Sequence, residues 1–255
     1  MYSKTLGVIT WSKMIFKLRS LVQFLFVLPD LLRFKKSMTT ERFSLGVLDC
    51  QLHLGDNVTI VEPERHYTYH PAWAARVLAE TRPAKHVDIS SALSFSTLIS
   101  AFIPIEFYDY RPALINLDNL HCGQVNVARL PFKDGEISSL SCMHVMEHVG
   151  LGRYGDPIDY DGDLKGMKEL ERVLAPGGSL LFVVPVGGQP RIQFNAHRIY
   201  AYDQITDYFS GLTLKEFALI PDQRESGDLV RHASPDLCNA QRHGCGCFWF
   251  VKNLR

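Results

Sequence analysis

Apolar residues recur along this chain at spacings that define its elements. Residues 179–186, SLLFVVPV, form a nearly unbroken apolar run, the pattern of a strand covered on both faces. Just before it, Leu164, Met167, Leu170, Val173 and Leu174 recur at helical spacing, and Ala175-Pro176-Gly177-Gly178 ends the helix. Upstream, KHVDIS (85–90), IEFYDY (105–110), a short run near Gln124–Val127 and EISSLSCMHV (136–145) read as strands. PAWAARVLAE (71–80), SALSFSTLISAF (91–102) and IYAYDQITDYF (199–209) read as helices, the first with Pro71 in its opening turn. Strand–helix–strand alternation predicts an α/β fold built on a doubly wound, mostly parallel sheet. LTLKEFALI (212–220) and CGCFWFVKN (245–253) have no convincing helix between them and predict a closing antiparallel pair.

Residues 1–40 read as an amphipathic helical extension, with Lys13, Lys17, Arg19, Arg33, Lys35 and Lys36 flanking Phe and Leu. The apolar stretch Leu21–Leu32 is interrupted by Gln23, Pro29 and Asp30, and a spanning helix needs ~20 apolar residues. It also lacks the pattern of a secretory signal. Such a helix suits packing on the domain or on a second copy in a homodimer, or peripheral contact with a membrane. Residues 41–84 form a lead-in whose runs FSLGVLD and NVTIVE read as short strands or a small cap. Residues 85–255 hold the α/β domain.

Charge and cysteine content narrow the function classes. Lys+Arg 27 balances Asp+Glu 27, so no overall basic field draws nucleic acid. Six cysteines in 255 residues are too sparse for a disulfide scaffold and predict free thiols in a reducing, cytoplasmic compartment.

LPFKDGEISSLSCMHVMEHV (130–149), followed by KELERVLAPGGSLLFVVP (168–185), resembles the second half of a class I S-adenosylmethionine-dependent methyltransferase. VDISS, YDYRP, EHVGLGRYGDPIDYDGDLK, VPVG, FNAHRIY and GCGCFWF more narrowly resemble domain-of-unknown-function family 268, from about Glu64 to Lys252. The resemblance implies a Rossmann-like seven-stranded sheet with an antiparallel C-terminal strand. It also implies S-adenosylmethionine as cofactor and methyl transfer to an oxygen or nitrogen of a small molecule or saccharide.

In open α/β sheets, ligands bind beyond the carboxyl ends of the strands, at the switch point. That rule selects Asp88, Ser90 and Ser91 after the first strand, Asp109 and Tyr110 after the second, and Cys142 and Met143 at the fourth. Asp109 suits the ribose hydroxyls, its other reading being a surface turn before Arg111-Pro112. By the resemblance, Asn126 stands where an Asp often accepts from the adenine amine. One departure matters: DISSALSFS carries no glycine where methyltransferases usually let the backbone approach the cofactor. The alternative function is therefore a non-catalytic methyltransferase-fold module that binds a glycan intermediate or a partner.

Histidines and carboxylates supply the remaining candidates. His144-Val-Met-Glu147-His148 spells H-x-x-E-H, but it follows a strand rather than lying on a helix, so the zinc-hydrolase reading is set aside. Glu147 and His148 are placed beside the transferred methyl; a similar pair in ubiquinone-biosynthesis O-methyltransferases helps bind a divalent ion, which implies weak Mg²⁺ assistance. His197, within FNAHR, suits a general base, its other reading being a helix cap, with Asn195 and Arg198 on the substrate side. In GLGRYGDPIDYDGD, Arg153 and Tyr154 suit a phosphate or sugar hydroxyl, unless the loop is only a turn in which Asp161 or Asp163 caps the next helix. The ERHYTYH segment, with His66, Tyr67, Tyr69 and His70, suits an aromatic lid or plain packing. Cys238, His243, Cys245 and Cys247 do not have finger spacing; Cys245 and Cys247 read as packed thiols, and no metal is expected.

Overall fold

A computed structural model describes residues 24–40, 42–53 and 58–254. The chain divides into a unit up to Glu62 and a unit from Pro63 onward. In the first, residues 24–37 are helical and a 3-10 turn spans Val47–Asp49, where the Asp49 carboxylate accepts from the Gly46 N–H. No strand forms among its described residues, so the runs read at 41–60 do not pair there. Lys13, Lys17 and Arg19 lie outside the described residues. Among the described residues, no helix is long and apolar enough to cross a membrane.

The second unit opens with α1 (Arg65–Thr81), which starts well before Pro71. Glu64 sets this start, because its carboxylate accepts from the Tyr67 N–H as an N-cap. The boundary expected near residue 84 therefore falls inside this unit. Then follow β1 (His86–Ile89), α2 (Leu93–Ile99), β2 (Ile105–Asp109), β3 (Leu120–Gln124) and β4 (Ile137–Met143). β3 lies earlier than the run at 124–127 suggested, and Asn126 sits in the turn that leaves it. After a 3-10 turn at Met146–His148 come α3 (Gly162–Val173) and β5 (Leu174–Val186). A small hairpin, β6 (Arg191–Gln193) and β7 (His197–Ile199), takes Ile199, the first residue of the helix expected from 199. α4 (Tyr202–Tyr208), β8 (Leu212–Ile220), α5 (Pro235–Asn239) and β9 (Gly244–Lys252) complete the unit.

Seven strands form one sheet in the order β3-β2-β1-β4-β5-β9-β8. Neighbours from β3 to β5 are parallel; β9 lies between β5 and β8 and is antiparallel to both. The seven-stranded, mostly parallel sheet with an antiparallel final strand is the expected architecture. Alternation along β5 explains its two buried faces. Leu180, Phe182 and Val184 point into one core layer with Met167, Leu170, Ile205 and Phe209; Leu181 and Val183 point into the other with Trp73, Val77, Leu78 and Phe95. A fully buried side chain of this size contributes ~1.5–3 kcal/mol. Cys245 and Cys247 share the Trp73 layer, as their spacing along one strand predicts.

β1 carries polar residues into this core, and they satisfy one another. The Ser141 hydroxyl donates to Asp88 at 2.7 Å, and the Ser96 hydroxyl donates to the other carboxylate oxygen. His86 lies 2.8 Å from both the Ser139 and Ser141 hydroxyls. Near the far end of the sheet, buried Glu216 accepts from Trp73 Nε1 at 3.0 Å and from both ends of the Arg231 fork.

Candidate functional site

The carboxyl ends of the parallel strands share one edge of the sheet, and the strand order reverses between β1 and β4. At that switch point a cavity of about 240 Å³ opens. Its wall includes Ser90 after β1, Asp109, Tyr110 and Arg111 at the end of β2, Asn126 after β3, and His144 and His148 after β4. Tyr154, Asp156 and Asp159 close it from the loop before α3.

Two wall residues carry unusual backbone. Ser90 has φ +58 and His144 has φ +57, the left-handed region that favours glycine. The Ser90 N–H donates to the Tyr108 carbonyl at 2.7 Å and its hydroxyl to the same oxygen at 3.1 Å, so the first loop turns without glycine. Asp109 reaches the wall with one oxygen accepting from the Arg111 N–H at 2.7 Å. The Asn126 side-chain carbonyl already accepts from the Ala128 N–H at 2.9 Å, an Asx turn that uses one of its two lone pairs.

Four residues expected to touch a cofactor do not line the cavity. Asp88 is fully buried with both oxygens bonded; burial raises its pKa against the pull of the Ser91, Ser96 and Ser141 hydroxyls. Ser91 accepts from the Met143 N–H at 3.0 Å. Cys142 and Met143 point into opposite core layers. These side chains hold the strand ends from behind.

The Met146–His148 turn brings Glu147 and His148 together with His144. Glu147 is 1% exposed. Its Oε1 lies 2.7 Å from His144 Nδ1 and 3.7 Å from His148 Nε2. Burial alone would raise the Glu147 pKa, but the two histidines outweigh it and the pKa falls. His148 Nδ1 donates to the Ala196 carbonyl at 2.6 Å, and burial lowers the His148 pKa. His197 is absent from the wall. Its ring stacks on His243 at 5.0 Å, 6.4 Å from that of His148, and its buried Nε2 has no partner.

The expected acceptor-side residues separate. Tyr154 lies in the wall with Arg111 at 4.6 Å and Arg153 at 5.1 Å over its ring. Arg153 itself donates to the Ala196 carbonyl at 2.9 Å. Asn195 is exposed and outside the wall. Arg198 is a structural tie: it is buried, donates to the carbonyls of Val149 (2.6 Å) and Tyr160 (3.0 Å), and pairs with buried Asp163 at 3.5 Å. Asp161 occupies the N-cap position of α3 without a side-chain bond, while Asp163 accepts from the Tyr200 hydroxyl at 2.8 Å.

Sequence reasoning missed the extent of the histidine assembly. Ring contacts run from His70 to His144 (4.9 Å), His144 to His66 (5.6 Å), His66 to His243 (5.5 Å) and His243 to His197 (5.0 Å). Burial, reinforced by neighbouring imidazoles, lowers the pKa of His66 to about 4 and that of His70 to about 3. The available signal was the H-x3-H spacing of His66 and His70, which places both on one helical face. Arg111, which the sequence marks only as part of the turn with Pro112 after the strand, also stands in the wall. Weak Mg²⁺ assistance finds no support: the groups around Glu147 are imidazoles, whereas Mg²⁺ requires oxygen ligands.

The family described as "Caenorhabditis protein of unknown function, DUF268" matches residues 134–227. No curated protein matches the chain by sequence. Among solved structures, the chain is similar to the YcgJ protein of Bacillus subtilis at 14% identity and a TM-score of 0.52, covering 74% of this chain and 100% of that one. It is also similar to the N-methyltransferase NodS of Bradyrhizobium japonicum, solved with S-adenosyl-L-homocysteine, at 15% identity and a TM-score of 0.50. That match covers 75% of this chain and 89% of that one. These likenesses establish the class I methyltransferase fold.

Proposed function

We propose that this chain binds S-adenosylmethionine in the switch-point cavity and transfers its methyl group to an oxygen or nitrogen of a small-molecule or saccharide acceptor. The observation that carries the reading is Asp109 in the cavity wall at the end of β2, where a carboxylate can accept from two adjacent hydroxyls. The cofactor supplies a methyl group on a sulfonium, already activated for transfer. The protein's task is then to align the acceptor, exclude water and take a proton. His148, in the wall, is better placed as base than His197, which lies outside it. The Ala196 carbonyl holds His148 Nδ1–H, which leaves the Nε2 lone pair to take the proton of an acceptor hydroxyl. Arg111 and Tyr154 form a stacked pair at the rim that suits a sugar face or a phosphate.

Calorimetric titration with S-adenosylmethionine and S-adenosylhomocysteine tests the reading, with saturable binding of both below millimolar concentration expected. A second reading is favoured by Ser90, whose side chain stands where the backbone would have to approach the cofactor: a methyltransferase-fold module that binds a glycan intermediate or a partner without transferring a methyl. Failure of both ligands to bind a folded chain at millimolar concentration would select it.

A further inference from the structure

We infer that His66, His144 and Cys245 form a binding site for a zinc(II)-class metal ion beside the cavity. One donor atom from each lies within 4.8 Å of the other two. The three residues come from separate elements: the first turn of α1, the residue after β4, and the start of β9. Because β9 is antiparallel to β5, its first residues reach the same edge of the sheet as the end of β4.

The donor spacing suits a small tetrahedral ion. Zinc–nitrogen bonds of about 2.0 Å and zinc–sulfur bonds of about 2.3 Å put donor atoms roughly 3.3–3.8 Å apart. His144 Nε2 and Cys245 Sγ already stand 3.3 Å apart. With all three donors within 4.8 Å of one another, a small inward adjustment of the side chains completes the set.

His144 is prepared for this role from behind. Its Nδ1 faces the buried Glu147 carboxylate at 2.7 Å, which fixes the hydrogen on Nδ1 and turns the Nε2 lone pair toward Cys245. A carboxylate–imidazole pair of this kind orients metal-binding histidines and raises their basicity. His144 also holds a left-handed backbone that an ordinary residue avoids, the sort of local strain that collects at functional sites.

An independent observation points the same way. Glu147 Oε2 and His70 Nε2 are buried without a partner, and the His70 ring packs edge-on against His144. Unpartnered buried polar atoms are costly, so a pair beside one imidazole marks a place where something else bonds.

Two imidazoles and a thiol define the class of ion. They suit zinc(II), and cobalt(II) as its spectroscopic substitute, and exclude ions that need oxygen ligands. Binding takes the proton from Cys245, which leaves to solvent, and the thiolate bonds to the metal. Three protein ligands leave a fourth position for water or an acceptor group. His144 belongs to the cavity wall as well, so the metal adjoins the space where an acceptor would sit. This inference does not rest on cofactor binding, and its test uses none.

The full chain would be stripped with a chelator and titrated with zinc alone and with cobalt alone. We expect one zinc per chain by elemental analysis, and a near-ultraviolet thiolate-to-cobalt band. Cys245→Ser should abolish the band and weaken zinc binding at least 100-fold, and His66→Gln should weaken it at least 10-fold. Glu147→Gln should cost 10–100-fold while the band persists, as expected of a positioning residue. Cys238→Ala, in the opposite core layer, should change nothing. If Cys245→Ser does not fold, His66→Gln, at a partly exposed position, carries the test alone. No retained metal at micromolar zinc, or affinity unchanged by His66→Gln, overturns the inference.

Discussion

Asp88 and His86 lie on the same strand and are joined through one hydroxyl, that of Ser141. Since that hydroxyl donates to Asp88, His86 Nε2–H must donate to its oxygen, leaving Nδ1 to accept from Ser139. Burial keeps His86 neutral, lowering its pKa to about 3. The folded value is depressed below the ordinary 6.5, so below pH 6.5 the unfolded chain takes up a proton that the folded chain refuses. Stability is full above that pH and falls by about 1.4 kcal/mol per unit as the pH drops toward 3. Urea unfolding at pH 7 and pH 5 should show His86→Gln losing roughly 2 kcal/mol less than the wild type over that interval. Equal losses would mean that His86 titrates normally.

Removal of the Asp109 carboxylate tests the cofactor side. Asp109→Ala should weaken S-adenosylmethionine binding by about 1.5–3 kcal/mol, the worth of hydrogen bonds to a charged group. Unchanged calorimetric affinity in a folded variant would take Asp109 out of the site.

The two histidines near Ala196 give different expectations once an acceptor from a panel of hydroxylated compounds is methylated. His148→Asn should slow transfer roughly 10²–10⁴-fold with cofactor affinity nearly constant, the usual worth of a general base. His197→Asn should cost less than about 10-fold. The reverse ranking would move the base to His197.

Ser90 in left-handed backbone sets up a comparison of substitutions. Ser90→Gly relieves a conformational cost of ~1–2 kcal/mol but adds chain entropy and loses a hydroxyl bond, so stability should change by less than about 1 kcal/mol. Ser90→Val puts a β-branched side chain in the same backbone and should lose about 2 kcal/mol or more. Equal urea midpoints for the two variants would show that the loop turns another way.

Glu216 is buried against Trp73 and depends on Arg231 for its charge balance. Arg231 is 41% exposed at its side chain, which softens the loss, so Arg231→Ala should destabilise by about 2 kcal/mol. Adding Glu216→Gln should recover part of that, because no buried charge remains. A double variant less stable than Arg231→Ala would refute this account.

What the sequence showed of the fold followed from local chemistry. Residues 179–186 and the Leu164–Val173 periodicity specify β5 and α3 because each side chain's burial follows from its own spacing. The start of α1 was hidden, since Pro71 offers the stronger local signal and the Glu64 cap has no apolar period to mark it. That Asp109 and Asn126 line one cavity was readable because strand ends in a parallel sheet converge; Tyr154 reaches the same wall from the loop before α3. The convergence of His66, His144 and Cys245 was not readable. It depends on the first turn of α1 meeting the residue after β4 and on β9 entering between β5 and β8, relationships that no stretch of chain encodes by itself.

The position of β9 also fixes an order of assembly. It is the last strand of the sheet to be synthesised, yet it occupies an interior slot, with β5 on one side and β8 on the other. As a nascent chain leaves the ribosome, β8 has no strand to pair with until β9 arrives. Cys245 arrives at the same moment. The seven-stranded sheet and the proposed metal site therefore both need the residues from Gly244 onward, and a chain ended before Gly244 can complete neither.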